Sequence, residues 1–99
     1  MRLTEEQLEK IKNSYDIVTM AEKVTKLHET EHGALIGKCP FCNDKEENLG
    51  VSRNQQIFHC FNCRRAGNVF DFYGNINGFR SLNTIANLMA EEAGINLDE

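Results

Sequence analysis

Residues 39–63 read CPFCNDKEENLGVSRNQQIFHCFNC, and this stretch holds all four cysteines of the 99-residue chain. They fall as two Cys-x2-Cys pairs, Cys39/Cys42 and Cys60/Cys63, with seventeen residues between the pairs. Two cysteines at that spacing fit on one tight turn, a knuckle, which aims both sulfurs at one point. Two facing knuckles complete a tetrahedron with Zn–S distances of about 2.3 Å, and the overall spacing lies in the zinc-ribbon range. The intervening residues suffice for a β-hairpin that returns the second knuckle to the first. Four thiolates leave no open coordination position, so a zinc ion on Cys39, Cys42, Cys60 and Cys63 is expected to be single and structural, not catalytic. Its contribution to folding is on the order of 10 kcal/mol or more. Pro40 stiffens the first turn but has no N–H, so other amides must donate hydrogen bonds to the sulfurs.

Three other uses of the sulfurs compete with zinc. The N-terminus, MRLTEEQLEKIKN, alternates charge with leucine and has no apolar run, so it reads as no secretory signal. No segment has the length and apolarity of a membrane span. The chain is therefore expected in the cytoplasm with no membrane partner, and disulfides are rare there. A thiol-redox site needs one Cys-x-x-Cys, not two. A rubredoxin-like iron site is chemically closer, since iron and zinc both accept tetrahedral sulfur. Such sites usually place glycine after the second cysteine of a knuckle, whereas Asn43 and Arg64 follow here. Zinc is favoured, and a red colour of the purified protein would mark iron. Among the histidines, strand alternation turns His59 away from the metal, and His28 and His32 read as solvated loop residues.

The flanking sequence supplies helices and short strands. LTEEQLEKIKN pairs Thr4 with Gln7 in a capping-box pattern and places Leu8 and Ile11 on one face. In SYDIVTMAEKVTKL, capped by Asp16 or Ser14, Ile17, Met20, Ala21 and Val24 share a face. KLHETEHGALIGK reads as a β-turn region punctuated by Gly33 and Gly37, and NLGVSRNQQIFHCF as two strands around an Arg53-Asn54-Gln55 turn. AGNVFDFYGNI reads as a short helix capped by Asn68. SLNTIANLMAEEAG is the clearest helix, capped by Ser81, striped by Leu82, Ile85, Ala86, Met89 and Ala93, and stopped by Gly94. The expected fold class is α+β: a small zinc-ribbon-like antiparallel β-sheet with flanking N- and C-terminal helices. Residues 1–99 are expected to form a single domain, with 1–15 as an N-terminal helical extension.

Net charge is −4, with the acidity at the two ends. Residues 1–35 carry five basic and seven acidic side chains, 36–80 six and four, and 81–99 none and four. No broad basic footprint marks a strong nucleic-acid binder, so any such binding must rest on local placement. Seven of the eight aromatic residues lie between Phe41 and Phe79, around the basic cluster.

These strings resemble the N-terminal zinc-binding domain of bacterial DnaG-type DNA primases. The likeness lies in CPFCNDK, VSRNQQIFHCFNC, AGNVFDF and the tail ending AEEAGI, and runs from about Asp16 to Leu97. Three departures stand out. Cys42 takes the place of the family's histidine ligand, giving four cysteines. Glu46-Glu47-Asn48-Leu49 replaces a Thr-Pro-Ser-Phe stretch, and Asn62 and Arg64 replace glycines. The resemblance implies a binding module that contacts single-stranded template in primer synthesis. Polymerising chemistry would belong to a separate catalytic domain, so this chain is expected to be no enzyme, with a primase catalytic domain or helicase as partner.

Single strands are held by base stacking on aromatic rings and by Arg and Lys on the phosphates. The residues suited to that role are Arg53, His59, Phe61, Arg64 and Arg65, with Lys38 and Lys45 at the edge. Because Cys60 must turn toward the metal, alternation exposes His59 and Phe61 and sends Phe58 into the core. Phe70, Phe72 and Tyr73 are expected to fill the core against the last helix. The alternative function is a zinc-stabilised protein–protein interaction module, its acidic helices docked on a partner and no DNA touched.

Overall fold

The computed structural model describes residues 3–31, 33–42 and 45–95. His32, Asn43 and the Leu97 end of the family likeness lie outside them. The first helix, α1 (Glu5–Asn13), starts where the sequence places it. Thr4 Oγ1 accepts from the Gln7 N–H at 3.2 Å, and Gln7 Oε1 accepts from the Thr4 N–H at 2.9 Å. Glu5 and Glu6 in its first turn and Lys10 and Lys12 in its last match the helix dipole. Its inner face buries Ile11 completely. Asp16 caps α2 (Ile17–Glu22), accepting from Thr19 at both its N–H and its hydroxyl. This helix ends before Val24, whose N–H turns to the Ala21 carbonyl three residues back at 3.1 Å and tightens the last turn. Val24 is exposed as a result, and Val18 completes the buried face with Ile17 and Ala21.

Five short antiparallel strands follow in simple order: β1 (Leu27–Glu29), β2 (Leu35–Gly37), β3 (Leu49–Ser52), β4 (Ile57–Cys60) and β5 (Ala66–Gly67). The turn region expected at 26–38 is thus a hairpin of its own, and His28 sits on an edge strand rather than in a loop. Its Nε2 pairs with Glu47 Oε2 at 2.6 Å. At Gly37 a Cβ would lie 2.4 Å from the Lys26 carbonyl oxygen, so only glycine lets the chain enter the first knuckle this close to residue 26.

Alternation divides the sheet into two unlike faces. Leu35, Val51 and Phe58 stand opposite one another in register on the inner face, as do Leu49 and Cys60. All five are buried. The outer face carries Ile36, Gly50 and His59 in one row, with Ala66 beyond them, and Ser52 opposite Ile57 in the next.

Helix α2 packs on β3 and α3 (Val69–Asn77) on β5, and α4 (Leu82–Ala93) lies behind them against α3 and α1. Asn68 and Asp71 form a capping box at the start of α3, and Ser81 caps α4. Phe58, Phe72 and Phe41 form a three-ring cluster with centroids 5.1–5.6 Å apart, and tilted or edge-on rings of this kind add to the core beyond their area. Phe70 and Phe72 are buried and Tyr73 is half-buried, as expected. The stripe of α4 is shorter than periodicity suggests. Ile85, Ala86, Met89 and Ala90 are buried, while Leu82 is 48% exposed and Ala93 lies in solvent. The core reaches only the middle turns of that helix, and its ends overhang.

Candidate metal centre and nucleic-acid face

The first knuckle follows β2 directly and the second follows β4. Because β3 and β4 pair with Leu49 opposite Cys60, the hairpin brings Cys60 and Cys63 back to Cys39 and Cys42. All four cysteines are free, and their sulfurs lie within 4.8 Å of one another. Cys39 and Cys63 Sγ are 3.7 Å apart, and Cys42 and Cys60 Sγ 3.9 Å. A tetrahedron with Zn–S bonds of about 2.3 Å has S···S edges of about 3.8 Å. The donor set therefore fits one zinc ion, which it closes off on all four sides.

Hydrogen bonds to the sulfurs come from the sources left after Pro40 gives none. The Phe41 N–H donates to Cys39 Sγ at 3.4 Å, and the Cys63 N–H to Cys60 Sγ at 3.4 Å. Asn62 Nδ2 adds a contact to Cys42 Sγ at 3.5 Å. Sequence reasoning missed Asn62 as support for the site, although its place inside the second knuckle was a usable signal. In the metal-free thiols, burial pushes Cys39 up to about 12 despite the Phe41 amide. Burial opposes the Cys63 thiolate too, but hydrogen bonds from the Arg65 backbone and guanidinium and from neighbouring thiols outweigh it and hold Cys63 at about 6.

Arg65 is thus part of the metal centre's surroundings. Its guanidinium hydrogen-bonds Cys63, its Nε donates to Asn75 Oδ1 at 3.1 Å, and it lies 6.0 Å above the Phe41 ring centroid. The bond to Cys63 is also what raises the Arg65 pKa. A positive charge here offsets part of the negative charge of a zinc tetrathiolate. Asn75 was not foreseen: its side chain joins the site from α3, a proximity that only the fold creates.

The remaining candidate residues fall into two groups. His59 is half-buried on the outer face, with its ring centroid 4.5 Å from that of Phe61. Phe61, just past the end of β4, is 71% exposed, whereas Phe58 within the strand is 1% exposed, so the two rings face opposite sides of the sheet. Arg64 is exposed just past the second knuckle, and Lys38 just before the first. Lys45 is exposed in the connection to β3. Arg53 stands apart in the β3–β4 turn, four ladder steps from the level of Cys60, about 13 Å at roughly 3.3 Å per residue.

Comparison with known proteins adds three findings. The CHC2 zinc finger family matches residues 3–99. DNA primases of Staphylococcus epidermidis and Geobacillus stearothermophilus are 34% and 35% identical to this chain over 98 and 96 residues. Those alignments cover 99% and 97% of the chain but 16% of either relative, so the chain spans about one-sixth of their length. A crystal structure of the Aquifex aeolicus primase, containing its zinc-binding and RNA polymerase domains, superposes with a TM-score of 0.79 at 26% identity. It covers 93% of this chain and 22% of that one. Among the described residues no helix is long and apolar enough to cross a membrane.

Proposed function

This chain belongs to the CHC2 zinc-finger family of DnaG-type primases, and we propose from that premise that it holds single-stranded template DNA on its open sheet face during primer synthesis. The family fixes the ion as one structural zinc, for which the four sulfurs are spaced. In this reading Cys39, Cys42, Cys60 and Cys63 hold the ion. His59 and Phe61 meet bases, and Lys38, Lys45, Arg53, Arg64 and Arg65 meet phosphates. Residues 1–99 act as one binding module in the cytoplasm with no catalytic centre of their own, beside a primase catalytic domain or a helicase.

The observation that carries this reading is Phe61, a large aromatic 71% exposed beside His59 on a sheet face that the helices leave open. Exposed rings flanked by cations are what single strands stack on. Titration with a short single-stranded oligonucleotide at two salt concentrations tests it. Binding that tightens as salt falls supports the reading, and binding weaker than millimolar at low salt removes it.

One observation favours the alternative of a protein-interaction module. Exposed Leu82 lines a groove with Leu8 and Phe70, and Glu5, Glu9 and Asp71 sit on its rim. The same titration separates the two readings, because this groove lies on the helical side and would leave the oligonucleotide unbound.

A further inference from the structure

Gly50 sits in the middle of the sheet, on the outer face, opposite Ile36 on one neighbour and His59 on the other. A glycine inside a strand weakens it, and usually marks a bulge or a close approach by another backbone or a ligand. Neither structural reason applies. The ladder runs through Gly50 in unbroken register. Its φ is not among the positive values of the chain. Among the described residues, a Cβ built there would meet only the His59 carbonyl oxygen at 3.8 Å and Phe61 Cε2 at 4.0 Å, both ordinary contacts. Gly37 and Gly74 differ, since a Cβ there would lie 2.4 and 2.5 Å from neighbouring atoms. The fold needs no glycine at 50.

The missing side chain leaves a flat-floored notch. Its floor is the Gly50 backbone, Ile36 stands on one side, and the His59 and Phe61 rings stand on the other. Resting on the template-binding reading above, we propose that this notch seats one unpaired nucleobase, lying over Gly50 against the Phe61 ring. Gly50 would then set which nucleic acid binds. An unpaired base is flat and has a free face and a free edge, whereas a paired base is already covered by its stacked neighbours. The charge around the notch suits the same ligand, with exposed Lys38 and Arg64 at its metal end to meet the flanking phosphates.

The test uses a short oligothymidylate carrying one 2-aminopurine, whose fluorescence falls when the base stacks, with wild type, Gly50→Ala and Gly50→Val. A valine suits a central strand, so the melting temperature and zinc content should stay level or rise. Affinity should fall about tenfold for Gly50→Val and the quenching should disappear, consistent with losing one stacked base. Gly50→Ala, whose methyl has room, should fall about threefold, and it keeps the test valid if the valine disturbs Phe61. Wild-type affinity and quenching in both variants would overturn the notch alone and leave the template reading standing. No binding by the wild type at low salt would overturn both.

Discussion

The N–H of Arg64 donates to the carbonyl of Cys60 at 2.8 Å, and to close that turn Arg64 adopts a left-handed backbone with φ +63°. The five residues from Cys60 to Arg64 are thereby wound into the second knuckle. An L-residue with a β-carbon is disfavoured there by about 1–2 kcal/mol, while glycine is not.

Arg64→Gly should therefore act in opposite directions on stability and binding. Relief of the left-handed strain, less the greater entropy of glycine in the unfolded chain, should stabilise the zinc-loaded protein by about 0.5–1 kcal/mol. Loss of the guanidinium should weaken single-strand binding and lower its salt dependence. Thermal melts and oligonucleotide titrations on the same preparations check both signs. A variant that melts higher and binds equally well would remove Arg64 from the DNA surface.

Metal removal should have the largest effect on the fold. Zinc ties both knuckles, and apparent free energies of structural sites are on the order of 10 kcal/mol. A strong chelator should abolish the cooperative melt, and Cys60→Ala should do so without chelator. Cys42→His should retain one zinc per chain, because imidazole is an accepted tetrahedral ligand. Zinc affinity should rise with pH, because binding must displace protons from thiols. Burial holds the Cys39 thiol up, whereas hydrogen bonds to Arg65 and to neighbouring thiols hold Cys63 down, so displacing the Cys39 proton to solvent is the harder step. Competition with a chromophoric chelator between pH 6 and 8 measures the trend.

Gln56 should be a structural tie out of proportion to its surface position. Its Oε1 accepts from the Ile17 N–H at 2.8 Å, and its Nε2 donates to Asp16 Oδ1 at 2.9 Å and to the Arg53 carbonyl at 2.8 Å. The β3–β4 turn is thus fastened to the start of α2. Gln56→Ala should cost about 2 kcal/mol, mostly from leaving the Ile17 N–H beside a buried residue without its acceptor. Asp16 adds a pH dependence. Its hydrogen bond from Gln56 lowers its pKa against the opposing effect of burial, with further lowering from Thr19. A carboxylate with a depressed folded-state pKa stabilises above its unfolded value and loses that contribution as pH falls through the folded value. Asp16→Asn should keep the cap and flatten the melt profile below about pH 4, near the unfolded value.

What the sequence could disclose follows from how local each signal is. The cysteine pairs, the Thr4, Asn68 and Ser81 caps and the alternation that buries Phe58 and exposes Phe61 are written within a few residues each. So the fold class and the sulfur cluster were legible. The Gln56 tie joins residues 40 apart, and the Arg65–Asn75 contact depends on how α3 lies against the second knuckle. No short-range pattern encodes either. Leu82 misleads for a related reason: helical period puts it in line with Ile85, but the core extends no further along α4 than Ile85.

Arg53 and Arg65 should prove unequal. Both are cations in the basic middle of the chain, but Arg65 is engaged with Cys63, Asn75 and the Phe41 ring, whereas Arg53 lies in the hairpin turn at the other end of the sheet. Arg53→Ala should leave melting and zinc content unchanged and reduce the slope of log K against log salt by about 0.7, the value for one phosphate contact with a single strand. Arg65→Ala should reduce the slope by a similar amount and also lower zinc affinity, since the variant removes a charge beside a ligand sulfur. The double variant should lose both contributions additively, because the two sites share no partner. Measurement of binding at four or more salt concentrations separates slope from intercept. If Arg53→Ala changes neither, the strand runs only over the metal end of the sheet, past Phe61, Lys38 and Arg64.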